Sequence, residues 1–449
     1  MNTRTDTEPQ TGERRRLASP RALLAAEEIL ARWMGETERG PLDRLVQFEL
    51  RHRRSLNSSE RRWVGDAIFG SVRFLRRQTW LLEHDGLETG ARERVELWAR
   101  QVESGAPGAG LPGPDMPAQY LRETLAFTNE MATALEQILG AEAVPAAAAL
   151  NRQAPTTLRV NPLRTNRARV LKALSGSRRV RFSPWGIELD GRPNIHELPG
   201  FKDGWYEVQE EASQLVALLT DAQPGQTVMD LGAGAGGKSL AIAAMMGNDG
   251  QILAADSSQE RLSRLEQRAE RAGAKAIRPL SLAADSEGRW QLSATKQRTL
   301  GRLKQTADCV LVDAPCSGSG VIRRSPDAKW REIDTAYYTR LQARLLEQGA
   351  EFTAPGGCLI YAVCSFETEQ DEAIVEQFLA SGAGADFEVV PMLPRLDRAI
   401  RRCALPAESG AILPTTAELE SLASGPYLRT WPHRHGLDAF FAACLVRRG

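Results

Sequence analysis

Two cysteines carry the most chemistry in this chain. Cys316 lies in Asp313-Ala314-Pro315-Cys316-Ser317-Gly318, directly after the apolar run Cys309-Val310-Leu311-Val312. Cys364 lies in Tyr361-Ala362-Val363-Cys364-Ser365, directly after Gly356-Gly357-Cys358-Leu359-Ile360. Each pattern predicts a buried strand that ends by presenting a thiol. In open α/β sheets, ligands bind at the carboxyl ends of the strands. A thiolate adding at C6 of a cytosine makes C5 enamine-like, so that C5 can accept a methyl group, one hard step being divided into two. That chemistry needs a thiolate, an acid near N3 and a base for the C5 proton. Asp313, Cys316 and Cys364 are the candidates for the acid and the thiolate and for help in product release. Buried cysteine otherwise behaves as a small hydrophobe, the reading given to Cys309, Cys358, Cys403 and Cys444.

A glycine loop accompanies the thiols. Val228 to Leu231 reads as a strand, Gly232-Ala233-Gly234-Ala235-Gly236-Gly237-Lys238 as a turn, and the residues from Gly237 as a helix start. Glycines let the backbone approach a ligand, and a helix N-terminus attracts negative charge. Gly232, Gly234 and Gly237 satisfy the dinucleotide spacing G-x-G-x-x-G, a weak signal alone. Asp256 ends the next strand, where a carboxylate can bind ribose hydroxyls, and Asp285 follows the third, where it can accept from an adenine amino group. Both also suit turns. The same loop has the spacing of a phosphate-binding loop, so a nucleoside triphosphate stays open by pattern. The lack of a convincing Mg²⁺ partner and the presence of the cysteine motifs count against it.

These motifs need elements to hold them. Residues 1–18 read as a disordered tail and 19–150 as an all-α domain, with Leu23, Ala26, Ile29, Leu30 and Trp33 at helical spacing and a helix start at Ser58-Ser59-Glu60. Residues 151–205 form a small basic α+β module: a strand at 157–161, a helix at 167–174, a broken strand at 180–189 and a linker near Gly200 to Gly204. From 206 to 449 strands and helices alternate, which predicts a parallel sheet with helices on both faces. The fold class is therefore multidomain: an all-α N-terminal domain, an α+β module, and an α/β Rossmann-like domain.

Composition narrows the class. Net charge is zero, but residues 151–205 hold 11 basic against 4 acidic groups and residues 1–80 hold 16 against 11. Clustered arginine suits a phosphate backbone, as well as a solvated face. Arg159, Arg164, Arg167, Arg178, Arg179 and Arg181 are the candidate RNA-holding residues. The start has no apolar signal segment, no apolar run approaches a membrane span, and no cysteine pair has zinc-ligand spacing, so no membrane and no metal are expected. Reduced cysteines predict a cytoplasmic protein.

The strings DAPCSGSG (313–320), YAVCS (361–365) and the Gly-Gly-Lys loop, with Val208-Gln209-Glu210-Glu211-Ala212-Ser213-Gln214 and the stretch from Trp431 to Phe441, resemble the Nol/Nop/Sun family of RNA cytosine-C5 methyltransferases over about 155–449. The N-terminal helices resemble a NusB-type RNA-binding domain. The resemblance implies S-adenosylmethionine as cofactor, a pocket lined by residues 232–238, Asp256, Asp285 and Asp313, and small-subunit rRNA as partner of a monomer. It also implies that Cys364 is the nucleophile and that Cys316 aids product release; spacing alone leaves that choice open. Two places depart from the family. The loop lacks its usual Cys-Ala-Ala-Pro start, and Gln370-Asp371 replaces an acidic-Asn pair. An RNA-binding assembly factor with weak catalysis is the alternative. A nicotinamide oxidoreductase ranks below it, having no role for the two Cys-Ser motifs. No histidine has a hydrolase context.

Overall fold

The computed structural model describes residues 19–36, 40–284, 290–291, 303–404 and 413–449. The expected tail 1–18 and the candidate Asp285 lie outside them. The chain divides into two compact units, one of residues 1–151 with 322–332, the other of 152–321 with 333–449.

The first unit is helical: α1 (Pro20–Gly35), α2 (Leu42–His52), α3 (Ser58–Arg73), α4 (Leu75–His84), α5 (Ala91–Ser104), α6 (Asn129–Leu139) and α7 (Ala143–Leu150). Helix α1 starts where Ser19 accepts from the Ala22 amide and Pro20 takes the first position. Its Ala26, Ile29, Leu30 and Trp33 are buried against Val64, Ile68 and Val72 of α3 in one cluster. Asn57 caps α3 in a capping box with Glu60.

Segment 322–332 completes this unit, although it belongs in sequence to the Cys316 motif. Arg73 donates to the carbonyls of Ile322 and Arg323, the Leu42 amide donates to Asp327, and the Trp330 indole donates to the Val72 carbonyl at 2.6 Å. Lys329 is 1% exposed. Its ammonium donates to the Arg73 and Ala126 carbonyls at 2.6 and 2.8 Å and to Asn151 Oδ1 at 3.0 Å. Burial, with Arg73 and Arg77 nearby, pushes its pKa well below the ordinary lysine value. Nothing in the local pattern of 322–332 announces this excursion, because every partner is distant in sequence.

The second unit opens with β1 (Thr156–Val160), α8 (Arg167–Ala173), β2 (Ser177–Arg179), β3 (Gly186–Leu189) and β4 (Tyr206–Val208), which form an antiparallel sheet ordered β2-β3-β1-β4. Of the broken strand expected at 180–189, residues 186–189 are β3 and 180–185 are the turn that joins it to β2. One face of this small sheet needs cover, and its Leu158, Phe182, Ile187 and Tyr206 join the same core as Leu215 and Ile242 further on. The expected linker near Gly200–Gly204 is a packed turn: a Cβ on Gly204 would lie 2.1 Å from the Arg271 carbonyl oxygen, and Asn161 donates to the carbonyls of Gly204 and Ala272.

The main sheet follows: α9 (Glu211–Leu218), β5 (Thr227–Leu231), α10 (Gly237–Met245), β6 (Gln251–Asp256), α11 (Gln259–Ala272), β7 (Ile277–Ser281), β8 (Ala307–Asp313), α12 (Thr335–Phe352), β9 (Thr353–Val363), α13 (Glu372–Ala380), β10 (Phe387–Val390), α14 (Met392–Ala404), β11 (Ala423–Ser424), β12 (Tyr427–Thr430) and β13 (Phe440–Arg447). The order is β11-β12-β13-β9-β8-β5-β6-β7, with β10 also pairing β13. From β9 through β7 the pairing is parallel; β13 runs antiparallel to β9, β10 and β12. The fully parallel sheet expected from alternation is therefore mixed, since alternation reveals a strand and not its direction. The strands that carry the cysteines remain central and buried on both faces.

Replacing Lys329 by Met would leave three carbonyl-type acceptors buried without a donor. The helical unit should lose about 3 kcal/mol, read as a lower urea midpoint of its helical signal.

Candidate active site

Strands β8 and β9 pair in parallel, Cys309 opposite Cys358 and Asp313 opposite Ala362. The pairing runs on past the strand ends. The Ala314 amide donates to the Ala362 carbonyl and the Gly320 amide to the Cys364 carbonyl, both at 3.0 Å. Gly320 must be glycine: a Cβ there would lie 2.0 Å from the Ala439 carbonyl oxygen and 2.9 Å from that of Cys364. This lacing brings the two expected thiols together, Cys316 Sγ to Cys364 Sγ at 3.4 Å, both partly exposed. The hydrogen bond to Cys364, added to burial, raises the Cys316 pKa well above the ordinary thiol value.

A polar knot holds both thiol loops. Glu367 Oε2 accepts from the hydroxyls of Ser317 at 2.9 Å and Ser319 at 2.7 Å. Gln370 Oε1 accepts from the Ser317 amide at 2.9 Å and from Gln342 Nε2 at 3.1 Å, and the latter also donates to the Pro315 carbonyl at 2.9 Å. Tyr361, at the end of β9, donates its hydroxyl to the Gln370 carbonyl. Beside it Ser365 donates to Asp371, which pairs with Arg429 at 3.0 Å. Burial raises the Asp371 pKa well above the usual carboxylate value despite that arginine. Gln342, Glu367 and the serines after Cys316 escaped the sequence reading. Glu367 stands only three residues from Cys364, the one signal that would have flagged it.

On the other side of Cys316, Lys238 donates to Asp313 Oδ2 at 2.6 Å. Burial alone would lower the Lys238 pKa, but Asp313, Asp230 and Cys364 together raise it. Asp230, on β5, is fully buried and accepts from the Ser239 hydroxyl. Burial, against that hydrogen bond, pushes its pKa up to about 7.

The glycine loop joins this group. Gly232, Gly234 and Gly236 have φ of 85°, 56° and 84°, a region that glycine enters without strain. A Cβ on Gly232 would lie 2.2 Å from the Asp313 carbonyl oxygen, whereas one on Gly234 would meet nothing closer than 3.9 Å. The turn is pinned to β8 on one side and open on the other. Asp256 Oδ2 accepts from the Gly234 amide at 2.9 Å and Oδ1 from the Ser258 amide at 2.7 Å. Its carboxylate shapes the turn and lies 3.9 Å from Arg261.

Several expected RNA-holding arginines have other work. Arg159 is 1% exposed, donates to Gln209 Oε1 at 2.6 Å, and has its pKa lowered to about 10 by burial. Arg167 is buried and donates to the Ser183 carbonyl. Arg178 pairs with Glu188 and Asp190, and Arg181 with Glu418. Clustered charge in sequence does not reveal which groups the fold turns inward. The Gln-Glu-Glu string is structural too: Glu211 accepts from the amides of Phe182 and Ser183, and burial raises its pKa to about 7. His435 accepts from the Trp431 amide, and burial lowers its pKa to about 4.

A glycine turn after the first strand of a doubly wound sheet, an acidic residue ending the second and a thiol pair after the fourth and fifth fit a Rossmann-like methyltransferase. Residues 217–446 match the family model described as 16S rRNA methyltransferase RsmB/F, and residues 131–196 match the ferredoxin-like domain of RsmF/B-like methyltransferases. The chain belongs to the RsmB/F family of 16S rRNA methyltransferases. A probable ribosomal RNA small subunit methyltransferase B from Synechocystis is 33% identical over 335 residues, 73% of this chain and 68% of that one. Ribosomal RNA small subunit methyltransferase B from Escherichia coli is 33% identical over 243 residues, and the match spans about half of each chain, 53% and 54%. The crystal structure of PH0851 has the same fold, with a TM-score of 0.71 and 24% identity over 95% of this chain and 98% of that one. The cofactor is S-adenosylmethionine, and the open turn at Gly234 with the Asp256 carboxylate beneath it fits such a group. No described helix is long and apolar enough to cross a membrane. Among the described residues, no group of three or more His, Cys, Asp or Glu could hold a metal ion.

Two measurements probe this geometry. Because Asp230 has a folded pKa near 7 against its ordinary 3.8, its stabilising share is full below the ordinary value and is lost as pH rises through about 7. Between pH 5 and pH 8 the urea midpoint of wild type should therefore fall relative to that of Asp230→Asn. In Glu367→Ala the two serine hydroxyls lose their acceptor, which should cost about 1–3 kcal/mol, and Glu367→Gln should restore most of it.

Proposed function

We propose that this chain transfers a methyl group from S-adenosylmethionine to C5 of a cytosine in 16S rRNA through a covalent cysteine adduct at C6. The observation that carries the reading is the thiol pair, 3.4 Å apart, beside the Lys238–Asp313 ion pair at the carboxyl ends of β8 and β9. The cofactor, bound by residues 232–238 with Asp256, Asp285 and Asp313, supplies the methyl group.

Cys364 is the nucleophile. Its sulfur lies 3.4 Å from that of Cys316, at the end of the strand beside the Lys238–Asp313 ion pair. The Cys364 thiolate adds to C6 and the displaced electron pair is taken up at N3, to which Asp313, with Lys238 beside it, delivers a proton. C5 then takes the methyl group, leaving S-adenosylhomocysteine; a base removes the C5 proton, its electron pair re-forms the C5–C6 double bond and expels the Cys364 thiolate, and the N3 proton returns to Asp313. Cys316, the protonated partner of the pair, assists that release. The target base has to leave its stack to reach a site at a sheet edge. In this reading residues 19–150 are a NusB-type RNA-binding domain, 151–205 a basic RNA-binding module and 206–449 the methyltransferase domain of a cytoplasmic monomer without a metal.

The test is methyl transfer from labelled S-adenosylmethionine to small-subunit rRNA by wild type, Cys364→Ala and Cys316→Ala. Wild type should transfer, Cys364→Ala should lose at least 1,000-fold, roughly the scale of removing a covalent nucleophile, and Cys316→Ala should accumulate a protein–RNA adduct. The reverse pattern would move the nucleophile to Cys316. RNA binding without transfer by wild type would favour the weakly catalytic assembly factor.

A further inference from the structure

Helix α12 connects β8 to β9, two parallel neighbours, so it runs against the strands and its first turn stands at their carboxyl edge, where the thiols are. Asp334 caps it by accepting from the Tyr337 amide at 2.8 Å. Gln342 fixes its place, since it donates to the Pro315 carbonyl next to Cys316. Tyr338 lies four residues before Gln342, hence on the same side of the helix and about 6 Å further toward the edge. Tyr337 packs against Tyr338 edge-on, with ring centroids 5.6 Å apart, and is 50% exposed. Arg340 and Arg344 follow Tyr337 at spacings of three and seven residues, which puts all three on one stripe of the helix. Arg340 is exposed and Arg344 partly so.

An exposed aromatic ring continued by guanidinium groups is the chemistry that holds single-stranded nucleic acid. The ring stacks on a base of any identity, and the cations follow the phosphates. We infer that the Tyr337–Arg340–Arg344 stripe is the track for unpaired RNA flanking the reacting cytosine, with Tyr337 stacking on a neighbouring base. The inference rests on the RNA-methylating reading above and adds a surface to it. The position suits the task, because a strand whose target base is drawn to Cys364 must leave the site across that edge. Charge complementarity selects RNA over an apolar protein partner.

The test uses the full-length protein and a short single-stranded rRNA fragment carrying 2-aminopurine beside the target cytosine. Tyr337→Ala should weaken RNA binding about tenfold and abolish quenching of the probe, while Tyr337→Phe keeps both and S-adenosylmethionine binding stays unchanged. Arg340→Ala should reduce the salt slope of binding by about one unit. Methyl transfer by wild type is assayed in parallel. Transfer with RNA affinity and quenching indifferent to Tyr337 and Arg340 overturns the track and leaves the methylation reading standing. Stripe-dependent binding without transfer does the opposite. Absence of RNA binding by wild type rejects both. Binding loss confined to ribosomal particles, with the naked fragment unaffected, would reassign the stripe to a protein contact and overturn the inference.

Discussion

The register of β8 on β9 is the constraint from which the site follows. Successive side chains of a strand point to opposite faces, so a slip of one residue would turn every residue of β8 over. Asp313 opposite Ala362 is what permits the Ala314 and Gly320 amides to continue the ladder beyond the sheet. Those two bonds determine where Cys316 can be relative to Cys364. The knot of Glu367, Gln370 and Gln342 then closes the loops around the pair. A thiol pair on two independent loops would drift apart; here the Cys316 loop is tied to the strand that bears Cys364, and the loop after Cys364 is tied to the serines after Cys316.

Charge at the site is arranged around low exposure. Lys238, Asp313 and Asp230 come from the glycine-loop helix, β8 and β5, three elements that come together toward the carboxyl edge. Burial pushes the Asp230 pKa up to about 7, while the Lys238 ammonium pairs directly with Asp313. The same division recurs below the second thiol loop, where Arg429 answers Asp371 and Glu372. At these two places the buried cation has a local anion, as charges removed from water require; Lys329 in the helical unit is held by carbonyls instead.

Much of this was legible in the residues. The strand ending at Leu231, the helix start at Gly237 and the helix through Ala26, Ile29 and Trp33 fall where apolar period and turn residues put them. The pairing of Cys316 with Cys364 followed from two strand-ending thiols in one sheet. What escaped was non-local. Strand direction made β13 antiparallel without any mark in its own residues. Arg159 and Arg167 read as basic surface and are buried, because charge counts carry no information on which way a side chain turns. Glu367 and Gln342 entered the site through partners some 27 to 50 positions away.

The excursion of residues 322–332 bears on how this protein can be taken apart. A fragment ending near Asn151 keeps every helix of the first unit and yet lacks Lys329 and Trp330, which answer the carbonyls of Val72, Arg73 and Ala126. A fragment beginning near Arg152 carries those two side chains with nothing to receive them. The two compact units are therefore not interchangeable modules along the chain. Domain swapping among relatives, or expression of either half alone, would succeed only if the eleven-residue strap travelled with the helices, which a single cut cannot achieve.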